Sequence, residues 1–216
     1  MPDTIANRPS PRNSAAPTWQ RFALPGADVR LTRFCDAAQA AVWFDRVRAE
    51  VPWTRHRLRL FGRVVDAPRL SCWIGDAGAA YTYSGTRFVP RPWTPALAEL
   101  RAAVERICGD VYNSVLCNWY RDGRDSMGWH SDDEAELGDE PAIASLSFGA
   151  VRRFRLRHRR DPALGLALDL EPGSLLRMAG ATQGNYRHAL PRTARAVGPR
   201  INLTFRRILV APDETA

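Results

Sequence analysis

Asn118-Trp119-Tyr120-Arg121-Asp122-Gly123-Arg124-Asp125-Ser126-Met127-Gly128-Trp129-His130-Ser131-Asp132-Asp133-Glu134 is the stretch on which the reading of this chain turns. Its first three residues end a β-like run over residues 115–120, in which Asn118 and Tyr120 share one face and Cys117 and Trp119 the other. A turn-rich segment follows, and then a His-x-Asp pair, His130 and Asp132. Such a pair can supply two of the three protein ligands of an open iron site. Alone it reads equally as a loop histidine bonded to a neighbouring carboxylate. The rest of the chain has to supply the remaining parts.

Downstream, the residues read almost wholly as short strands, over 142–148, 153–158, 167–170, 174–178 and 201–209, with a hairpin loop over 161–165. In Arg200-Ile201-Asn202-Leu203-Thr204-Phe205-Arg206 the polar set Arg200, Asn202, Thr204 and Arg206 lies on one face, opposite Ile201, Leu203 and Phe205. A polar strand face of this kind either meets solvent or, with two Arg forks beside Asn and Thr, clamps a small dicarboxylate. His188 is the third ligand candidate. Of the other two histidines, His56 and His158 sit among arginines, and His158 reads as surface or phosphate-facing.

Upstream, residues 1–17 are rich in Pro, Ser, Asn and Arg without apolar periodicity and read as a disordered tail. Short extended pieces are expected around Pro25-Gly26. A helix is expected from an Asp36 N-cap to Val51, with Ala40, Ala41, Phe44 and Val47 at helical spacing and Pro52 as the stop. Strand-like runs at 57–61, 70–74 and 80–83 come next. A second helix is capped by Thr94, opens on Pro95, lines one face with Leu97, Leu100, Val104 and Ile107, and stops at Gly109. The expectation is an α+β, mainly β domain over 18–210, an antiparallel sandwich or barrel with the N-terminal helices packed on it. Another tail is expected from Ala211.

Composition narrows the class. With 216 residues the chain can bury one sizeable core. It contains no apolar run long enough for a membrane span and no apolar signal core, so a cytoplasmic, membrane-free protein is expected. Cys35, Cys72, Cys108 and Cys117 lack Cys-x-x-Cys spacing and read as reduced, mostly buried thiols. The formal net charge is +8 and every one of the 31 basic residues is Arg, which points to a polyanionic partner. The Arg-rich stretches at 55–63, 152–160 and 192–195 are candidate phosphate contacts.

From about Leu58 to Leu209 the chain resembles the AlkB family of iron(II)- and 2-oxoglutarate-dependent nucleic-acid dealkylases, specifically its duplex-DNA repair branch in animals. The resemblance lies in Tyr81-Thr82-Tyr83-Ser84-Gly85, Asn118-x-Tyr120, Asp122-Gly123, His130-x-Asp132-Asp133-Glu134, Ile143-Ala144-Ser145-Leu146-Ser147-Phe148-Gly149, Gly173-Ser174-Leu175-Leu176, His188-x-Leu190-Pro191 and the block from Pro199 to Arg206. It implies a double-stranded β-helix, or jelly roll, over about 112–210, with a base-recognition portion at about 55–92. It also implies Fe(II) held by His130, Asp132 and His188, and 2-oxoglutarate held by Asn118, Tyr120, Arg200, Asn202, Thr204 and Arg206, with oxygen as co-reactant.

The implied reaction is oxidative removal of N-linked alkyl groups from damaged DNA bases of the 1-methyladenine and 3-methylcytosine type, by a monomer that meets DNA on the nucleoid. RNA as substrate, or a non-catalytic basic β-domain that binds nucleic acid, are the competing readings. By the same resemblance Tyr83 stacks on a flipped base, with Tyr81 and Thr82 nearby and Asp133 and Glu134 at the base's polar edge. Tyr81 and Tyr83 also fit ordinary strand alternation. Leu60-Phe61-Gly62-Arg63 resembles a hairpin finger with Phe61 as a wedge; Phe61 equally fits a core residue at a turn. The chain departs from that branch at Tyr186-Arg187, where the branch carries aromatic residues, and in its short 161–165 loop.

Overall fold

The computed structural model describes residues 17–60, 63–83 and 86–209, with the side chains of 58–60, 63–64, 81–83 and 86–88 outside the description. All but the last residue of the expected 1–17 tail, the expected tail from 211, and Phe61 and Gly62 of the expected finger therefore lie outside the described residues.

The chain enters through an antiparallel pair, β1 (Gln20–Phe22) and β2 (Asp28–Arg33). In α1 (Ala37–Glu50) the Asp36 carboxylate accepts from Gln39 N at 2.8 Å, which satisfies one of the open N–H groups of the first turn. There follow β3 (Arg57–Leu60), β4 (Arg63–Asp66), β5 (Leu70–Gly75), β6 (Tyr81–Tyr83) and β7 (Thr86–Phe88), with β3 pairing β4 and β6 pairing β7 as two-stranded ribbons. α2 (Pro95–Cys108) is capped by Thr94 and ends at Gly109, whose φ of 74° belongs to the left-handed region. Glu50, at the end of α1, accepts from Ala96 N at 2.8 Å and so helps cap α2.

The second half runs β8 (Ser114–Tyr120), β9 (Met127–His130), β10 (Ile143–Gly149), β11 (Arg152–His158), β12 (Gly165–Leu170) and β13 (Ser174–Ala179). A one-turn helix α3 (Thr182–Asn185) then leads into β14 (Tyr186–Leu190) and β15 (Arg200–Arg206). Seven strands form one antiparallel sheet in the order β1-β2-β13-β10-β15-β8-β5, and four form a second in the order β12-β11-β14-β9.

Three layers result. On one face of the large sheet, Ala144, Leu146 and Phe148 of β10 and Ile201, Leu203 and Phe205 of β15 pack with Phe44 and Val47 of α1 and Leu97, Leu100 and Val104 of α2. On the other face, Val29, Ile143, Leu176 and Met178 meet Phe154, Leu156, Leu168 and Tyr186 of the small sheet. β10 and β15 are thus covered on both sides, and their backbone is bonded on both edges. Gly149 lets them meet at their ends. Its φ is 82°, and a Cβ there would stand 2.4 Å from Pro199 O.

The architecture is mainly β, with antiparallel sheets and packed helices, as the sequence implied. Among the elements that were not anticipated, three bear on the pocket. β9 reads Met-Gly-Trp-His and has little strand propensity of its own; it is extended because β14 pairs with it, His188 opposite His130. β14 turns His188 inward where an alternating pattern would show an apolar residue, and α3 is a single turn between strands. The last strand also stops at Arg206, short of the expected Leu209. Among the described residues no helix is long and apolar enough to cross a membrane.

Candidate metal centre and cosubstrate pocket

A pocket opens between the two sheets, and its walls come from both. The small sheet contributes Met127, His130, Phe154, His188, Ala189 and Leu190. The large sheet contributes Asn118, Tyr120, Ser145, Met178, Arg200, Asn202, Thr204 and Arg206, and Asp132 lies just beyond β9. All nine residues expected for metal and cosubstrate line this one pocket. The polar face of β15 does not meet solvent: every residue of the strand is buried.

At one end, His130, Asp132 and His188 each offer a ligand atom, and these atoms lie within 4.8 Å of one another. Pairing of β9 with β14 sets the two imidazoles beside each other, 4.1 Å between ring centroids and tilted by 59°. His130 Nδ1 lies 2.8 Å from Gly128 O, and a carbonyl can only accept. The Nδ1 proton is therefore engaged, and Nε2 keeps its lone pair. Burial first, and then the neighbouring His130, push the His188 imidazole down to about 3, against the pull of Asp132. His188 is thus a neutral donor at physiological pH. The His130 imidazole is lowered as well, again by burial first.

Asp132 is the charged member. Burial alone would raise its carboxyl, but Arg206, His188 and His130 outweigh that and hold it below the ordinary range. Its Oδ1 accepts from Arg206 Nη2 at 2.5 Å, and its own N–H donates to Gln183 Oε1 at 3.0 Å. Asp132 Oδ2 is buried and has no hydrogen-bond partner among the described residues. An orphaned carboxylate oxygen beside two neutral imidazoles fits a divalent cation.

At the other end, Arg200 is 2% exposed and has no carboxylate at ion-pair distance among the described residues. Its Nη2 donates to Ser147 Oγ at 2.8 Å, its Nε has no partner, and its guanidinium lies 5.5 Å from the Tyr120 ring. Burial pushes it down to about 10, with Tyr120 opposing and Arg152 adding repulsion. A buried cation left without a counter-ion is unfavourable unless an anion enters, and a carboxylate of a small dicarboxylate meets that need. The register of β15 on β8 sets Tyr120 opposite Arg200 and Asn118 opposite Asn202, so two strands build the wall. Asn202 Nδ2 donates to Ser145 Oγ at 2.8 Å, and Thr204 Oγ1 donates to Asn202 Oδ1 at 3.1 Å.

The expected base contacts are less fully described. Phe61 and Gly62 lie outside the described residues, and Arg63, Tyr81, Thr82 and Tyr83 are placed on β4 and β6 by their backbone alone. Asp133 accepts from Arg159 Nη2, which also donates to Ser131 Oγ at 2.6 Å and to Gln183 O at 3.3 Å.

Sequence reading missed four residues that hold this site. Gln183 anchors Asp132, and Arg159 ties the 131–133 loop to the segment that carries His188. Arg69, 6% exposed, donates from Nε to Asn118 Oδ1 at 2.8 Å. Arg152, expected among phosphate contacts, is 3% exposed instead: it donates to the carbonyls of Asp122, Asp125 and Pro191 and lies 5.9 Å from the Tyr120 ring. Strand alternation would have found it, because Arg152 shares the inner face with Phe154 and Leu156. The others carried no local signal.

Comparison with known proteins places this geometry. Residues 28–206 match the family model of the 2OG-Fe(II) oxygenase superfamily. The chain is 39% identical over 208 residues to the DNA oxidative demethylase ALKBH2 of Homo sapiens, covering 92% of this chain and 80% of that protein. It is also 39% identical over 188 residues to the alpha-ketoglutarate-dependent dioxygenase alkB homolog 3 of Rattus norvegicus, covering 83% of this chain and 63% of that protein. The solved structure of OsALKBH1 shares the fold, with a TM-score of 0.59 over 88% of this chain and 100% of that one at 16% identity. A neutral-imidazole and carboxylate cluster, a buried arginine awaiting an anion and this extent of identity together make the chain a member of the AlkB family of 2-oxoglutarate-dependent dioxygenases, with Fe(II) and 2-oxoglutarate as its metal and cosubstrate.

Proposed function

We propose that this protein repairs DNA directly, by oxidative removal of alkyl groups from bases of the 1-methyladenine and 3-methylcytosine type. The observation that carries this reading is the 39% identity with a DNA oxidative demethylase over 92% of the chain. The convergence of the nine expected residues on one pocket supports it. We read residues 18–210 as one domain, and the two facing sheets as a double-stranded β-helix with the pocket between them.

In this reading His130, through Nε2, and Asp132 and His188 would hold Fe(II). Iron and 2-oxoglutarate, with oxygen, supply hydroxylation of the N-linked alkyl carbon, with succinate and carbon dioxide as by-products and an aldehyde lost from the base. The protein's own residues bind and orient. Arg206, bonded to Asp132, stands at the metal end of the cosubstrate, and Arg200 takes the carboxylate at the far end beside Tyr120 and Ser147. Asn118, Asn202 and Thr204 line the path between them, with Asn118 held by Arg69. Tyr81, Thr82 and Tyr83, and Phe61, Gly62 and Arg63, are assigned to the base and the stack around it. Asp133, which accepts from Arg159, and Glu134 are assigned to the polar edge of a cationic lesion.

Mass spectrometry of methylated oligonucleotides incubated with the protein, Fe(II), ascorbate and 2-oxoglutarate tests the proposal. Single-stranded DNA, duplex DNA and RNA of one sequence form the three arms. Loss of a methyl mass from DNA is expected, and His130→Ala should abolish it. Demethylation of the RNA alone, or of none of the three, would defeat the DNA assignment.

A further inference from the structure

Trp73, on β5 opposite Leu116 of β8, is 4% exposed, and its ring lies 5.9 Å from the guanidinium of Arg206. That guanidinium is the one that donates to Asp132 Oδ1. With Ala79, Leu137 and Ile208, Trp73 forms a small core apart from the two large ones. Two of these partners belong to segments that carry the metal centre. Ile208 follows Arg206 by two residues, and Leu137 ends the short 3-10 turn Ala135–Leu137 in the loop after Asp132. Leu209 N donates to Glu136 O at 2.7 Å and joins those two segments.

The same tryptophan holds both legs of the β6–β7 ribbon. Its Nε1 donates to Ala79 O at 2.9 Å, two residues before Tyr81. Its backbone carbonyl accepts from Arg91 N at 3.0 Å, three residues past Phe88. β6 and β7 have three residues each and, among the described residues, pair only with each other. A two-stranded ribbon of this size is marginal in water by itself, so its order depends on what holds its legs. The ribbon that carries Tyr81, Thr82 and Tyr83 is thus tethered to a ring that rests on the arginine at the metal end of the cosubstrate.

We propose that Trp73 is a positioning residue that couples the cosubstrate to the base-recognition ribbon. A dicarboxylate arriving beside Arg206 adds a second anion to the guanidinium and fixes it against the indole face. The buried indole N–H, with Ala79 O as its acceptor, then holds the leg of β6 in the geometry that receives the base. The ribbon is ordered when the cosubstrate is present and looser when it is absent, which favours entry of the base second. Trp73 is not among the pocket's walls, so it acts through Arg206 and Ala79. Trp93 supplies the contrast. Its Nε1 donates to Asp76 Oδ1 at 2.8 Å and tethers the same two legs, but its ring lies against Arg101 of α2. The role given to Trp73 rests on the dealkylase reading above and adds to it an order of binding and the residue that imposes it.

Hydrogen exchange of the full chain, read by mass spectrometry in Mn(II) with and without saturating 2-oxoglutarate, tests the coupling and needs no DNA. In the wild type 2-oxoglutarate should slow exchange of the β6 and β7 amides by about fivefold or more. Trp73→Phe keeps a ring over Arg206 but loses the donor to Ala79, and Trp73→Leu loses both. Each should cut the slowing to under about twofold. Trp93→Phe is the control: it should speed exchange of the ribbon equally with and without 2-oxoglutarate and so leave the ratio at its wild-type value. A Trp73 that merely filled space would behave in the same way. No slowing in the wild type, a wild-type ratio in either Trp73 variant, or an equal fall of the ratio in Trp93→Phe would overturn the proposal. Should Trp73→Leu fail to fold, Trp73→Phe decides alone. Turnover of a methylated oligonucleotide by the wild type is followed on the same preparations. Absence of that turnover counts against the dealkylase reading, and the exchange ratios decide the coupling either way.

Discussion

Asp132 and Arg206 form a buried ion pair, Oδ1 to Nη2 at 2.5 Å, with side chains 2% and 3% exposed. It joins the metal end of the pocket to the strand that lines the cosubstrate end. Asp132 comes from the loop after β9 and Arg206 from the end of β15, so the pair also ties the small sheet to the large one.

A buried pair broken from one side leaves an uncompensated charge, at a cost of about 3–5 kcal/mol. Arg206→Met should therefore destabilise the metal-free protein by that order, and Asp132→Asn should act in the same direction. Urea unfolding of the metal-free variants measures this without recourse to activity. A loss under about 1 kcal/mol in both would mean that the pair is not what joins the sheets.

Gln183 acts on Asp132 through the backbone. In Gln183→Leu the buried Asp132 N–H loses its acceptor, with an expected loss of about 1–3 kcal/mol. The carboxylate should then wander from the imidazoles, and affinity for Mn(II), a redox-silent probe of the site, should fall by about 10–100-fold in calorimetry. Retained Mn(II) affinity would show that Asp132 is placed by Arg206 alone.

Arg152 bonds three carbonyls of the segments that flank the far end of the pocket, and it lies against the Tyr120 ring. Arg152→Met preserves length but removes the donors. The expected result is a raised KM for 2-oxoglutarate with a smaller change in kcat, because the wall beside Arg200 loosens while the metal end stays intact. A change in kcat alone would count against this positioning role.

Burial raises the Cys108 and Cys35 thiols from 9.0 to about 11 each, and Cys117 well above its ordinary value. The thiolate is the nucleophile, so at pH 8 iodoacetamide should label Cys35 and Cys108 on the order of 100-fold more slowly than an unperturbed thiol. Because the folded thiols hold their protons to higher pH than unfolded ones, their contribution to stability is present below pH 9 and is lost as pH rises toward 11. Full labelling at pH 8 without denaturant would contradict this.

The two helices were legible because their signals are local: Asp36, Thr94 and Gly109 terminate them through contacts within one turn. β10 and β15 were legible because a buried strand with a polar pocket face still alternates. β9 and β14 were not, since Gly128 and an inward His188 disguise them and only mutual pairing makes them strands. Gln183, Arg159 and Arg69 were silent for a related reason: each acts on a residue 24 to 51 positions away, and nothing in its neighbours marks that partner.

By itself the sequence determined the mainly β class and the two capped helices, because those signals are local, and its resemblance to a known family implied the nine pocket residues and their chemistry. Only the tertiary structure decided that the polar face of β15 is buried, that Asp132 answers to Arg206 and Gln183, and which arginines of 152–160 face solvent without a counter-charge. Those outcomes depend on sheet register and on which faces meet, and they arise from packing between strands distant in the chain.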